Sequence, residues 1–132
     1  MKYMLDTNIC IYTIKRKPSS VVARIRRTKL EEICLSTMTL SELEYGVAKS
    51  SSPDRNRLAL LAFLTPFRIL DFDQAAAAEY GRIRSALERK GMVIGPMDLL
   101  IAAHAKSCNL ILVSNNIGEF ARIDGLKTEN WV

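Results

Sequence analysis

Short, continuously apolar runs alternate along this chain with longer stretches of helical periodicity, and that alternation most narrows its possible folds. KYMLD at 2–6, ICLS at 33–36, RILDF at 68–72 and LILVS at 110–114 lack the every-other-residue polar pattern of a strand with one wet face. Such runs read as strands covered on both sides, the mark of a parallel sheet between helical layers. LKTENWV at 126–132 offers a last short strand. The helical segments are NICIYTIKR, VVARIRRTK, LSELEYGVAK, RNRLALLAFL, the stretch from Asp73 to Lys90, MDLLIAAHAKS and GEFARI.

Local signals mark the boundaries. Thr7 or Asn8 is a candidate cap for the first helix, and Pro18-Ser19-Ser20 opens the second. Thr39 with Glu42 three residues later has the capping-box pattern. SSSPD at 50–54 breaks one helix and starts another, Pro66 ends that one, and Gly91 and Gly95-Pro96 punctuate before the helix containing Asp98. No internal repeat or linker divides the chain. The expectation is one α/β domain over residues 1–132, with a central, mostly parallel sheet of four to five strands sandwiched between helices.

The formal charge of +5 suits a polyanionic partner, although a mildly basic domain is also simply well solvated. Cys10, Cys34 and Cys108 cannot all pair and lack CxxC spacing, so they read as buried free thiols in a reducing compartment. One histidine and no ligand pair at zinc spacing argue against a zinc site. No apolar run approaches bilayer length, and Asp6 interrupts any signal-peptide core, so a cytoplasmic protein is expected.

In an open parallel sheet, ligands bind beyond the carboxyl ends of the strands. Asp6 ends the first strand, Ser36 ends the second with Glu42 just beyond, Asn115-Asn116 follow LILVS, and Asp98 begins the preceding helix. Asp98 lies on an almost wholly apolar helix, on one face with Ile101, Ala102 and Ala105. Its desolvation costs several kcal/mol unless a helix N-terminus or a cation offsets it. Glu42 can serve either as a capping-box glutamate or as a functional carboxylate, whereas Glu44 on the opposite flank reads as solvated. Gly46, one turn after Glu42, would admit a close approach by backbone or ligand. Carboxylates gathered at one edge repel each other, and all-oxygen ligands suit Mg²⁺ or Mn²⁺. That combination points to phosphodiester hydrolysis. His104 lies off the face of Asp98 and reads as a structural group. Tyr80, Arg82, Arg84 and Arg89, and the Arg24–Lys29 run, read as wet helix faces whose arginines can also meet RNA phosphates. There is no GxxxxGK[ST] and no GxGxxG.

MLDTNICIY, TLSELEYGV, GPMDLLIAAHA and LILVSNNIGEF resemble, in order and spacing, the four motifs of PIN-domain nucleases, and more narrowly the VapC toxins of VapBC toxin–antitoxin pairs. The resemblance runs almost from end to end. It implies a PIN-like fold and a Mg²⁺- or Mn²⁺-dependent endoribonuclease cutting structured RNA, often transfer RNA. It also implies a VapB-type antitoxin that wraps the toxin and blocks its acidic pocket, homodimers and toxin–antitoxin hetero-oligomers, and operator DNA bound through the antitoxin. By the same resemblance Asp6, Glu42 and Asp98 are catalytic and metal-binding. Many relatives carry an aspartate where this chain has Asn116, and Glu119 one turn on is the candidate to supply that charge at the metal. Thr7, Asn8, Ser36 and Asn116 would support the ligands or contact a phosphate.

Two other readings compete. A PIN-like domain without turnover would hold RNA or a protein partner, and Asn116 is the feature that motivates it. A phosphatase using Asp6 as a covalent nucleophile needs a second aspartate two residues on, where this chain has Asn8.

Overall fold

Met4 is completely buried and pairs on one side with Cys34 and on the other with Leu112, which places the first strand at the centre of the sheet. In the computed structural model, which describes residues 1–132, β1 (Tyr3–Leu5) is flanked by β2 (Ile33–Ser36) and β4 (Ile111–Val113). β3 (Arg68–Leu70) and β5 (Thr128–Glu129) form the edges, giving the order β3-β2-β1-β4-β5 with every pairing parallel. The expected α/β architecture is found, and the sheet is parallel throughout.

Seven helices cover both faces: α1 (Thr7–Lys15), α2 (Ser19–Arg27), α3 (Thr37–Lys49), α4 (Pro53–Leu64), α5 (Gln74–Arg89), α6 (Pro96–Ser107) and α7 (Ile117–Phe120). Strand periodicity divides the core. Met4, Cys34 and Leu112 face the layer that holds Ile83, Leu87, Ile101 and Phe120. Tyr3, Leu5, Ile33, Leu35 and Val113 face the layer that holds Ile9, Val21, Leu43 and Leu60. Both faces are therefore dry, which is why the strands show no polar alternation. Trp131 closes one edge, packed edge-on against Tyr3 at 5.0 Å, with the Arg24 guanidinium 4.8 Å above its ring.

The chain turns from α5 to α6 through Gly91, whose φ of +66° is the left-handed conformation glycine adopts freely. The Gly91 N–H donates to Glu88 and that of Met92 to Leu87, the paired bonds of a Schellman ending.

Three expectations are corrected. Asp6, rather than Thr7 or Asn8, caps α1, accepting the Ile9 N–H at 3.0 Å. α3 begins at Thr37 with Ser36 as its cap, so Thr39 is a fully buried interior residue and no capping box forms. Ser36 ends a buried strand beside the first free amides of α3, and this wins over the local Thr39–Glu42 pattern. Cys108 is exposed just past α6, whereas Cys10 and Cys34 are buried.

Candidate active site

The order of the strands reverses between β1 and β4, since β2 and β3 lie to one side and β4 and β5 to the other. Crossovers diverge at such a point, and the carboxyl ends of the strands there are the expected place for a ligand. Asp6 stands at this point. Its backbone N–H extends the sheet by donating to the Val113 carbonyl at 3.0 Å, and the residue is only 4% exposed.

Burial pushes the Asp6 carboxyl above its ordinary value, opposed by the Ser114 hydroxyl and the Ile9 amide, while Glu42 pushes it further up. Asp98 is half-buried as the third residue of α6. Burial and then the charges of Glu119, Asp6 and Glu42 raise its pKa to about 6, despite its place at a helix N-terminus. Asp98 does not cap α6, because Gly95 occupies that position. Asp98 therefore feels the charges of Asp6, Glu42 and Glu119, and Asp6 that of Glu42.

Glu42 lies in the second turn of α3, free of any capping duty, and accepts the Thr7 hydroxyl at 2.5 Å. Glu119 in α7 accepts the Asn116 amide on one oxygen and the Gly95 N–H, at 3.2 Å, on the other. Asn116 thus orients a carboxylate, and its own backbone N–H is held by Ser114 at 2.9 Å. Asn8 is exposed on the first turn of α1.

Ser36 departs from this group. It is fully buried, its hydroxyl accepting the Met38 N–H at 3.0 Å and meeting His104 Nδ1 at 2.8 Å, with no face open to a phosphate. Glu44 lies outside the site as well, paired at 2.7 Å with Arg57. An added Cβ at Gly46 would meet nothing within 4 Å, so no element packs closely there, and the glycine instead lines a groove beside Glu42. The α5 arginines are engaged locally, Arg82 with Glu79 and Arg84 with Tyr80 and Glu88.

Two contributors escaped the sequence reading. Ser114 follows β4 as Asp6 follows β1, so its topological position was a usable signal. Gly95 contributes a backbone N–H, for which no side-chain pattern exists.

The donor set fits a hard divalent cation. None of the four carboxylates is paired with a lysine or arginine. No three histidine, cysteine, aspartate or glutamate side chains lie together as a metal-holding group. Mg²⁺ needs only one or two carboxylates, with waters and substrate phosphate completing its shell. No helix is long and apolar enough to cross a membrane.

An all-parallel sheet with acidic side chains beyond its carboxyl ends is the architecture expected of a PIN domain, and the PIN domain family model matches residues 3–126. The chain belongs to this family. Its similar relatives are VapC proteins. The tRNA(fMet)-specific endonuclease VapC of Shigella flexneri is 49% identical over 99% of this chain and 98% of its own length. VapBC from Salmonella typhimurium, solved bound to DNA, contains a chain 45% identical with a TM-score of 0.95, covering 100% of this chain and 99% of that one. VapBC2 from Rickettsia felis, bound to a fragment of its promoter, gives 44% identity and a TM-score of 0.93 over 100% of both chains. PIN-domain ribonucleases generally depend on a divalent metal.

Proposed function

We propose that this chain is the toxin of a type II toxin–antitoxin pair, a Mg²⁺- or Mn²⁺-dependent endoribonuclease that hydrolyses phosphodiester bonds in structured RNA, with transfer RNA as the substrate class. The observation that carries the reading is the Asp98 carboxyl, pushed up by burial and by the charges of Glu119, Asp6 and Glu42, with none of the four paired to a basic side chain. The substrate class rests on the printed activity of the Shigella relative. The same resemblance favours the cytoplasm as the place of action.

Asp6, Asp98 and Glu42 would hold the cation and form the catalytic set, with Glu119 as a further ligand. The bound cation supplies positive charge for the phosphoryl group and eases deprotonation of the attacking water. Glu42, steadied by Thr7, is placed to orient that water. Asp6 is held by its capping bond to Ile9, so its carboxylate keeps one orientation. Asn116 holds Glu119 in place, and Asn8 is open to a substrate phosphate.

A VapB-type antitoxin is the proposed protein partner. A groove of about 310 Å³ runs beside Glu42, lined by Ile11, Ile14, Leu43 and Val47 with Lys15 at its rim. An amphipathic antitoxin segment with a basic residue would fill it and cover the acidic site. The DNA-bound VapBC structures support a toxin–antitoxin hetero-oligomer. Pairing of toxins, and operator DNA reached through the antitoxin, follow from the family resemblance.

The test is inducible expression of wild type and Asp6→Asn, with total RNA examined for discrete fragments. Growth arrest with a defined fragment, lost in the variant, is expected. Intact RNA in cells, together with purified folded protein that cuts nothing in Mn²⁺, would overturn the reading.

A further inference from the structure

We infer that His104, the chain's one histidine, is a positioning residue that locks the helix carrying Asp98 to the helix carrying Glu42. The inference rests on the nuclease reading of the site and adds a group that touches neither cation nor RNA.

His104 is 1% exposed, and its Nδ1 lies 2.8 Å from the Ser36 hydroxyl. The same hydroxyl accepts the Met38 N–H and so starts α3. Whichever partner of the His104–Ser36 pair donates, this bond joins the interior of α6 to the cap of α3. His104 follows Asp98 by six residues, and Glu42 follows Ser36 by six. At 1.5 Å per residue, each carboxylate stands about 9 Å along a rigid helix from the shared bond. Phe72 completes the joint. Its ring meets the imidazole edge-on at 5.5 Å, and its N–H donates to Thr37 Oγ1 at 3.1 Å.

Stability alone does not call for an imidazole here. Every other residue that α6 buries, Leu99, Ile101, Ala102, Ala103 and Ala105, is apolar. An apolar residue at 104 would avoid desolvating a polar ring. Apolar packing, however, tolerates sliding of one helix over another, whereas a hydrogen bond sets distance and direction. Burial lowers the affinity of His104 for a second proton, against the opposing pull of Asp73 and Asp71, so the ring serves as a neutral hydrogen-bonding strut.

The experiment uses the intact protein. Nuclear magnetic resonance of the imidazole needs no assignment, because there is a single histidine. Titration with Mg²⁺ is expected to move its ring resonances saturably, in step with calorimetric binding. Unmoved resonances while calorimetry reports binding would overturn the inference. In parallel, His104→Leu removes the strut and His104→Asn keeps a polar atom near the Nδ1 position. The leucine variant should lose about 10- to 100-fold in kcat with KM for RNA unchanged, and the asparagine variant should recover most of it. A folded leucine variant with wild-type kcat, or equal losses in both variants, would overturn it. Should the leucine variant fail to fold, the resonance titration and the asparagine variant decide. If the wild type neither binds Mg²⁺ nor cuts RNA, the nuclease reading itself falls and takes the inference with it.

Discussion

The Thr7 hydroxyl donates to the Glu42 carboxylate at 2.5 Å, joining the first turn of α1 to the second turn of α3 across 35 positions of sequence. Thr7 follows Asp6 directly, so one helix start carries both a carboxylate and the donor that aims another. The bond leaves Glu42 one oxygen to present to the site.

Replacing Thr7 with valine keeps the shape and removes that donor. RNA cleavage is expected to fall about 10- to 100-fold, with stability changed by only about 1 kcal/mol. Thr7→Ser retains the hydroxyl and should keep most of the activity. Steady-state cleavage of RNA beside thermal unfolding of both variants checks this.

The raised carboxyls predict a pH-dependent benefit from metal. Asp98 titrates from an ordinary 3.8 in the unfolded chain to about 6 in the fold, so between those values the folded protein holds the extra proton. Its contribution to metal-free stability is therefore fully present at low pH and is lost as pH rises through about 6. Asp6 shifts in the same direction. A divalent cation binds the ionised forms and reverses the loss. Mg²⁺ or Mn²⁺ should raise Tm distinctly near about pH 7.5 and little near about pH 5. Equal shifts at both values in a thermal scan would count against a carboxylate metal site.

Asn116→Asp places a fifth negative charge against Glu119, where an amide now donates. Metal-free stability should drop by about 1–3 kcal/mol, and Mn²⁺ affinity should rise as the added charge is neutralised. Calorimetry on the variant, with and without Mn²⁺, reads both effects.

The thiols should react unequally. Burial pushes the Cys34 thiol up to about 12 and raises that of Cys10 well above its usual range, while Cys108 is exposed. Iodoacetamide should add one group to the native protein, at Cys108, and three after unfolding. Mass spectrometry before and after denaturant shows which.

Much of this molecule is legible in its residues alone. The apolar runs around Met4, Cys34 and Leu112 are strands because both their faces are buried, and that demand is written residue by residue. The carboxylates Asp6 and Asp98 were conspicuous because each interrupts or ends an apolar segment, where an unneutralised charge is costly. Local capping signals were less dependable. Thr39 and Glu42 match a capping box, yet Ser36, placed by the end of β2, captures the Met38 amide and moves the helix start. The cysteine at 108 sits in an apolar context and still faces water, because α6 ends just before it.

The sequence by itself therefore determined the type of each main element, the parallel character of the sheet and the residues carrying negative charge. These follow from periodicity and desolvation, which act over a few neighbouring residues. Only the tertiary structure decided that Thr7 aims Glu42, that Gly95 holds Glu119, and that His104 meets Ser36. Each of those bonds joins groups brought together by strand order or by the packing of one helix on another. Single directed bonds of that kind leave no periodic trace in the chain.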